Sequence, residues 1–345
     1  MSVIGAPNPC VSTLTMTTLN RRQILAALPS ATAGLLLSQC ASHPVASVNP
    51  LPQSSATPPV PAVSKVPSYN GRLPWRTVFV GEDRFQRLCV EAQQGNWAAL
   101  PLGERTTTVA RALLGTPYRN YTLEIDDHIE AVSVNLYGLD CWTFYEVSLA
   151  FARMIRGMPN PWRGEELLRY VELERYRDGY CDGSYLSRMH HLEEVFYNNE
   201  RRGLGRNVTR DLGGVPIRRE ITEMQHAWHQ YRYLVHNPSL RSGIARVEAR
   251  VSRLPVNFIP RGRVAGIESG IHDGDVLAVV ANDSTGYTSH VGLAMRSGST
   301  CRFMHATSSH DKGHRCIIDG RISSYLNENS SHIGLIVFRP YDAMV

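Results

Sequence analysis

The chain has 345 residues, 43% of them hydrophobic and 19% charged, with a formal charge of +5. That is enough for one large domain or two small ones. The charge is mild and no run of Lys/Arg marks a nucleic-acid surface, so no nucleic-acid partner is expected.

The first segment, residues 1–43, reads as an export signal. Asn20-Arg21-Arg22-Gln23 carries a twin arginine, and a weakly apolar stretch from Ile24 to Leu37 follows, broken by Pro29 and Gly34. That stretch is too short and interrupted for a membrane span. The twin arginine resembles signals that export folded proteins, with Met16 as the expected start. Leu37-Ser38-Gln39-Cys40 resembles a lipoprotein cleavage box, although Gln39 stands where Gly or Ala is usual. Two outcomes stay open here: a lipid anchor at Cys40, or soluble secretion with cleavage nearby. Either way the chain is expected in the periplasm or cell envelope. Residues 44–74 hold eight of the twenty prolines, and such a segment is an extended linker. The folded domain is expected over 75–345.

Helices are predicted over 82–95 and 104–115, the second running up to Gly115-Thr116-Pro117-Tyr118, where Pro117 disfavours helix at Thr116. Residues 141–156 contain no Pro, are apolar on most sides, and read as a buried central helix. Asp140 suits its N-cap. Cys141 then takes the first helical position, where the helix dipole favours a thiolate. The plain alternative is a buried core thiol.

From about 160 to 265 the chain is polar and rich in Arg and Tyr, an insertion of mixed helical segments. Period-two patterning returns at Asp275–Val280, Ser289–Met295, Cys301–Ala306 and His332–Phe338, predicting an antiparallel sheet. In the second of these, His290, Gly292 and Ala294 share a face, and the small residues leave room for a helix to approach. A two-residue turn at Ser297-Gly298 would set His290 directly opposite His305, on one face. A shift of two keeps them there, and an odd shift separates them. A cysteine nucleophile needs a base and the base an orienting partner, so Cys141, His290 and His305 form a candidate Cys–His–His set. Core histidines are the alternative, and His310 or His314 could replace His305. A zinc site on the same three residues lacks CxxC or HExxH spacing, so no metal or cofactor is expected. Cys301 and Cys316 are candidates for a disulfide across adjacent strands, or are simply unpaired thiols.

Three motifs, Leu114-Gly115-Thr116-Pro117-Tyr118, Asp140-Cys141 and Ser289-His290-Val291-Gly292 with Met304-His305-Ala306, resemble those of the NlpC-type papain-like cell-wall hydrolases. The N-acetylmuramoyl-L-alanine amidase-like branch is the most similar, through Arg175-Tyr176-Arg177-Asp178-Gly179, Ser187-Arg188 and Leu212-Gly213-Gly214 as well. The resemblance implies an α+β, papain-like (NlpC-type) fold with the nucleophile helix packed on an antiparallel sheet and a large insertion between them. It implies Cys141 as nucleophile, His290 as base and His305 as orienting residue. It also implies that Tyr118 lies in the site and helps bind the oxyanion with the Cys141 N–H. Arg188 could grip a stem-peptide carboxylate, or be a structural ion pair. The expected substrate is peptidoglycan or a muropeptide. The alternatives are a D-glutamyl–diaminopimelate endopeptidase and an inactive cell-wall-binding lipoprotein. The insertion puts 149 positions between Cys141 and His290, so specificity cannot be copied from minimal NlpC domains. Oligomeric state is not legible.

Overall fold

A computed structural model describes residues 72–343. The expected export signal, Cys40 and nearly all of the linker lie outside the described residues. The fold is α+β, and its centre is the helix α3 (Cys141–Gly157), preceded by α1 (Glu82–Gln94) and α2 (Leu102–Ala112). Every residue of α3 from Thr143 to Ile155 is buried. α2 ends sooner than its sequence suggests, because Gly115 leaves it with φ +78 and gives its N–H to Cys316 O at 2.9 Å. A long-range bond to Cys316, rather than Pro117, stops the helix.

A helix buried on all sides must find partners for its polar groups. Glu146, fully buried on α3, takes a two-pronged contact from Arg175 at the end of α4 (Gly164–Arg175), with Nη2 2.5 Å from Oε2 and Nε 3.1 Å from each oxygen. Arg175 Nη1 also donates to Ser133 O at 2.9 Å. Arg153, one helical stretch on, pairs with Glu174 and donates to Tyr341 O at 2.8 Å. These pairs fix the height and rotation of α3, and therefore where its N-terminus emerges.

The insertion carries α4, α5 (Leu192–Arg201), α6 (Arg232–His236), α7 (Arg241–Val251) and three short strands, β1 (Gly205–Asn207), β2 (Val215–Pro216) and β3 (Asn257–Pro260). After α8 (Arg261–Ile267) come β4 (Val276–Ala281), β5 (Thr288–Ser297), β6 (Thr300–Ala306), β7 (Cys316–Arg321), α9 (Ile322–Asn327) and β8 (His332–Pro340). The sheet order is β2-β3-β8-β4-β5-β6-β7, with β1 also paired to β8, and all its described pairings are antiparallel. Sequence patterning locates β4, β5, β6 and β8 to within two residues. It misses β7, which carries Asp319, Gly320 and Arg321 in its second half, and the insertion strands, which are too short to show alternation. Those insertion strands extend the main sheet at one edge.

Alternation divides the sheet residues between two cores. Val291, Leu293, Met295 and Met304 pack with Phe144, Val147, Phe151 and Met154 of α3. Ala294, Phe303 and Val279 face the other way, against Ile322 and Leu326 of α9 and Val264 of α8. The helix that approaches the His290 face is thus α9, and α3 packs on the opposite face. A third, smaller core lies within the insertion around Tyr185, Met224, Tyr233, Leu234 and Ile244.

Removing Glu146 alone would strand a buried guanidinium. Glu146→Ala is expected to cost about 3–5 kcal/mol in urea unfolding, and the Glu146→Met/Arg175→Met double variant should recover most of that loss.

Candidate active site

The first turn of α3 is closed by a reciprocal cap. Asp140 is extended (φ −94, ψ −178); its Oδ1 accepts from Thr143 N at 2.8 Å, and its own N–H donates to Thr143 Oγ1 at 2.9 Å. This is a capping box with Asp and Thr in the reciprocal places, and it holds the partly exposed Cys141 at the first helical position. The lead-in to the cap is tied to the Gly115–Tyr118 turn, with Leu139 N donating to Pro117 O and Arg119 N to Leu139 O, both at 3.1 Å. Tyr118 N in turn donates to His314 O at 2.9 Å, and its ring meets the His314 ring edge-on at 5.2 Å. Tyr118 is therefore wedged between the start of α3 and the 307–315 loop.

The hairpin of β5 and β6 turns one residue later than its sequence suggests. Ser297 pairs with Thr300, so the turn is Gly298-Ser299, with Gly298 at φ +58. Gly in the first turn position is the II′ pattern. The register moves by two, His290 no longer faces His305 directly, and both stay on one face. The rings close the diagonal themselves: His290 Nε2 lies 2.7 Å from His305 Nδ1, with the ring planes at 89°. The place opposite His305 belongs to Gly292, where a Cβ would lie 2.3 Å from Met304 O and 2.9 Å from His305 Cβ. So the space beside His290 is filled by the neighbouring strand and the Phe303 ring. A register shift between Val279 and Val280 leaves Ser289 as an extra residue beside His290, and such bulges re-aim side chains.

Two aromatic rings flank the histidine pair. Phe303 stacks on His305 at 4.6 Å, and Tyr325 of α9 lies 6.1 Å from the His290 ring and 5.2 Å from the His305 ring. Burial, and next the charge of Cys141, hold the Tyr325 phenol well above its ordinary pKa. Tyr325 stacks on His290, and α3, which starts at Cys141, packs against β5 and β6, the strands that carry the two histidines. His310 and His314 stack on each other at 4.9 Å within the 307–315 loop, and His314 Nδ1 is 2.9 Å from Ser308 O. Of the three histidines weighed as the partner of His290, His305 is the one in hydrogen-bond contact.

Beyond His305 lies a residue that sequence reasoning missed. His305 Nε2 is 3.3 Å from Asp319 Oδ2, and the same oxygen accepts from Lys312 Nζ at 2.5 Å. The His305 hydrogen bond, with Lys312 after it, keeps the Asp319 carboxyl well below its usual range. Its only sequence signal was an Asp at the centre of Ile318-Asp319-Gly320, which reads as a turn. The β6–β7 loop and the register shift between Arg302 and Met304 hide the pairing.

Arg188 takes the ion-pair setting, the second of the two readings its sequence leaves open. Its side chain is 3% exposed, between Glu130 (3.4 Å) and Glu124 (3.8 Å), and it donates to Leu123 O at 3.1 Å above the Tyr185 ring. Burial works against its charge, but Glu130 and its other partners outweigh it and raise the guanidinium pKa. A substrate carboxylate would have to displace two buried carboxylates to reach it. What Arg188 does is hold the 121–130 loop, which the insertion also grips: Tyr185 OH donates to Glu124 at 2.8 Å and Tyr233 OH to His128 O at 2.6 Å. That loop runs beside the first turn of α3, Thr122 Oγ1 being 3.5 Å from Thr143 Oγ1. Cys301 and Cys316 are free, buried thiols. They sit in the two opposite cores, and Cys316 pairs with Ala306, so a disulfide between them is ruled out by register. Among the described residues, no group of three or more His, Cys, Asp or Glu is arranged to hold a metal ion.

The AmiA-like model, described as N-acetylmuramoyl-L-alanine amidase-like, matches residues 108–335, and the chain belongs to that family. An N-acetylmuramoyl-L-alanine amidase from Bacteroides uniformis ATCC 8492 superposes with a TM-score of 0.63 at 26% identity, over 70% of this chain and 99% of that one. A Bacteroides fragilis protein provisionally named a xylanase is 27% identical with a TM-score of 0.61, over 67% of this chain and 99% of its own. A Legionella pneumophila protein, 16% identical with a TM-score of 0.58 over 76% of this chain and 97% of that one, shares the fold alone. No curated protein matches the sequence.

Two measurements check this geometry. Gly292→Ala must push β6 away from β5 and is expected to cost about 1–3 kcal/mol in urea unfolding, whereas Gly320→Ala, which meets nothing within 4 Å, should be silent. Burial holds the His305 pKa below its ordinary value, with Asp319 only partly offsetting it. The unfolded chain therefore protonates this ring first. Its contribution to stability is complete above about pH 6.5 and declines as pH falls through that value toward the native pKa. NMR titration should place the His305 midpoint below about 6.5; a midpoint above it would contradict the burial argument.

Proposed function

We propose that the chain is a cysteine amidase of the bacterial envelope, cleaving the amide between the lactyl carbonyl of N-acetylmuramic acid and L-alanine in peptidoglycan or released muropeptides. The observation that carries this is the 2.7 Å contact of His290 with His305 on the strands against which α3 packs, with Cys141 at the capped start of that helix. Membership of the amidase-like family and the Bacteroides uniformis amidase as a structural neighbour support the choice of bond. The helix-on-sheet arrangement supports placement among NlpC-type papain-like hydrolases. Export and a lipid anchor at Cys40 remain part of the proposal, carried by the sequence alone.

In this mechanism His290 takes the Cys141 proton and the thiolate attacks the lactyl carbonyl carbon. The oxyanion is met by the Cys141 backbone N–H and the Tyr118 hydroxyl. Protonated His290 then gives its proton to the departing alanine nitrogen, the C–N bond breaks, and a thioester remains on Cys141. Water attacks that thioester while His290 accepts its proton, and the lactyl carboxylate and free thiol are released. His305 holds the His290 ring throughout. The insertion contributes by fixing the 121–130 loop beside the nucleophile, which makes it a wall of the substrate cleft.

The test is mass spectrometry of muropeptides incubated with the full chain. Release of intact stem peptide is the expected result; cleavage after D-glutamate would replace this bond by the endopeptidase reading, and unchanged substrate would leave a binding protein. Cys141→Ala should abolish turnover with the fold retained, and thiol alkylation should inactivate the wild type. His290→Ala should be as damaging as loss of the thiol. His305→Asn should keep measurable activity, down two or three factors of ten, each about 1.4 kcal/mol of barrier.

A further inference from the structure

The contact between two histidines is ambiguous by itself, because each neutral ring can donate from either nitrogen. Asp319 removes the ambiguity. An ionised carboxylate only accepts, and Asp319 Oδ2 lies 3.3 Å from His305 Nε2, so that nitrogen carries the ring proton. His305 Nδ1 is then a lone-pair acceptor. It faces His290 Nε2 at 2.7 Å, so His290 donates from Nε2 and has its own lone pair on Nδ1. Lys312 fixes the start of this chain of bonds: its Nζ is 2.5 Å from Asp319 Oδ2 and 2.6 Å from Glu328 Oε2. The His305 side chain is 1% exposed and the Asp319 side chain 13%, so water competes little for these bonds.

We infer that Asp319, held by Lys312, is a positioning residue that sets the tautomers of both His305 and His290 and so makes Nδ1 the basic atom of His290. The assignment of a base rests on the proposed cysteine mechanism, while the tautomers do not. Removing the carboxylate has a definite consequence. In Asp319→Asn the Lys312 ammonium attracts the amide oxygen, which turns the NH₂ toward His305 Nε2. That nitrogen must then accept, the proton moves to His305 Nδ1, and His290 Nε2 becomes the acceptor. Its proton is forced onto Nδ1, and the base is lost without any change of fold. Asp319→Glu keeps an acceptor and should keep the order of bonds.

The experiment is ¹⁵N NMR of the full chain labelled in histidine, with His290 and His305 assigned through His→Gln variants, alongside the rate of Cys141 alkylation and of muropeptide hydrolysis. In the wild type near neutral pH both rings are expected as Nε2–H. In Asp319→Asn both should switch to Nδ1–H, with hydrolysis down about 10²-fold or more by analogy with the wrong-tautomer effect in serine proteases and alkylation slowed; Asp319→Glu should restore the wild-type pattern. An Nδ1–H wild-type His290 overturns the inference, and does so even if Asp319→Asn fails to fold. So does an Asp319→Asn protein with unchanged tautomers and alkylation rate. Absence of muropeptide hydrolysis by the wild type counts against the proposed substrate instead, since the spectra and the alkylation rate are read without substrate.

Discussion

The structure depends on how α3 is kept charged and buried at once. A helix enclosed on every side gains its stability from packing, about 1.5–3 kcal/mol for each fully buried Phe, Leu, Val or Met, but its interior position leaves no water for Glu146 and Arg153. Arg175 and Glu174, adjacent at the end of α4, answer those two groups in turn. Two neighbouring residues of the insertion thus set how α3 is rotated and how far it slides. Breaking either pair leaves a buried charge, so alternative placements of the helix are strongly disfavoured. The position of Cys141 is a by-product of that constraint.

The histidine side of the site comes from a different kind of constraint. Two adjacent strands hold His290 and His305 on one face for any even register, so face is robust and spacing is not. In this fold the spacing is diagonal. The distance is made up by ring size, by Gly292 allowing β6 close approach, and by the aromatic packing of Phe303 and Tyr325 around both rings. The same strand face is covered by α9, a helix of six residues whose Tyr325 touches each histidine. Burying the pair this way favours the neutral form of His305 and keeps its hydrogen bonds dry.

Motifs that mark the family turn out to hold the site together from outside it. Of Arg175-Tyr176-Arg177, Arg175 binds Glu146, the Tyr176 hydroxyl donates to Glu130 at 2.7 Å, and Arg177 binds Glu194. Arg188 clamps Glu124 and Glu130 under the 121–130 loop. Tyr121 at the head of that loop has φ +60 and is 41% exposed. The insertion is therefore joined to the rest of the described chain by buried ion pairs and by three strands on the sheet edge.

Local chemistry alone determined a good deal: the Asp140 cap, Cys141 at the first helical position, the central helix, four of the strands and the shared face of His290 and His305. Each follows from a short-range rule, since caps, turns and alternation act over a few residues. What only the tertiary structure decided lies across long separations. Nothing near Arg188 in the chain announces Glu124 and Glu130, and buried ion-pair partners leave no periodic trace. The hairpin turn that falls one position later, the bulge at Ser289 and the irregular β6–β7 pairing moved the register beyond what pattern could predict. For the same reason Asp319 was invisible until β7 was laid beside β6. A carboxylate becomes a partner for His305 only when three strands are in register, and that register is the outcome of packing both faces of the sheet at once.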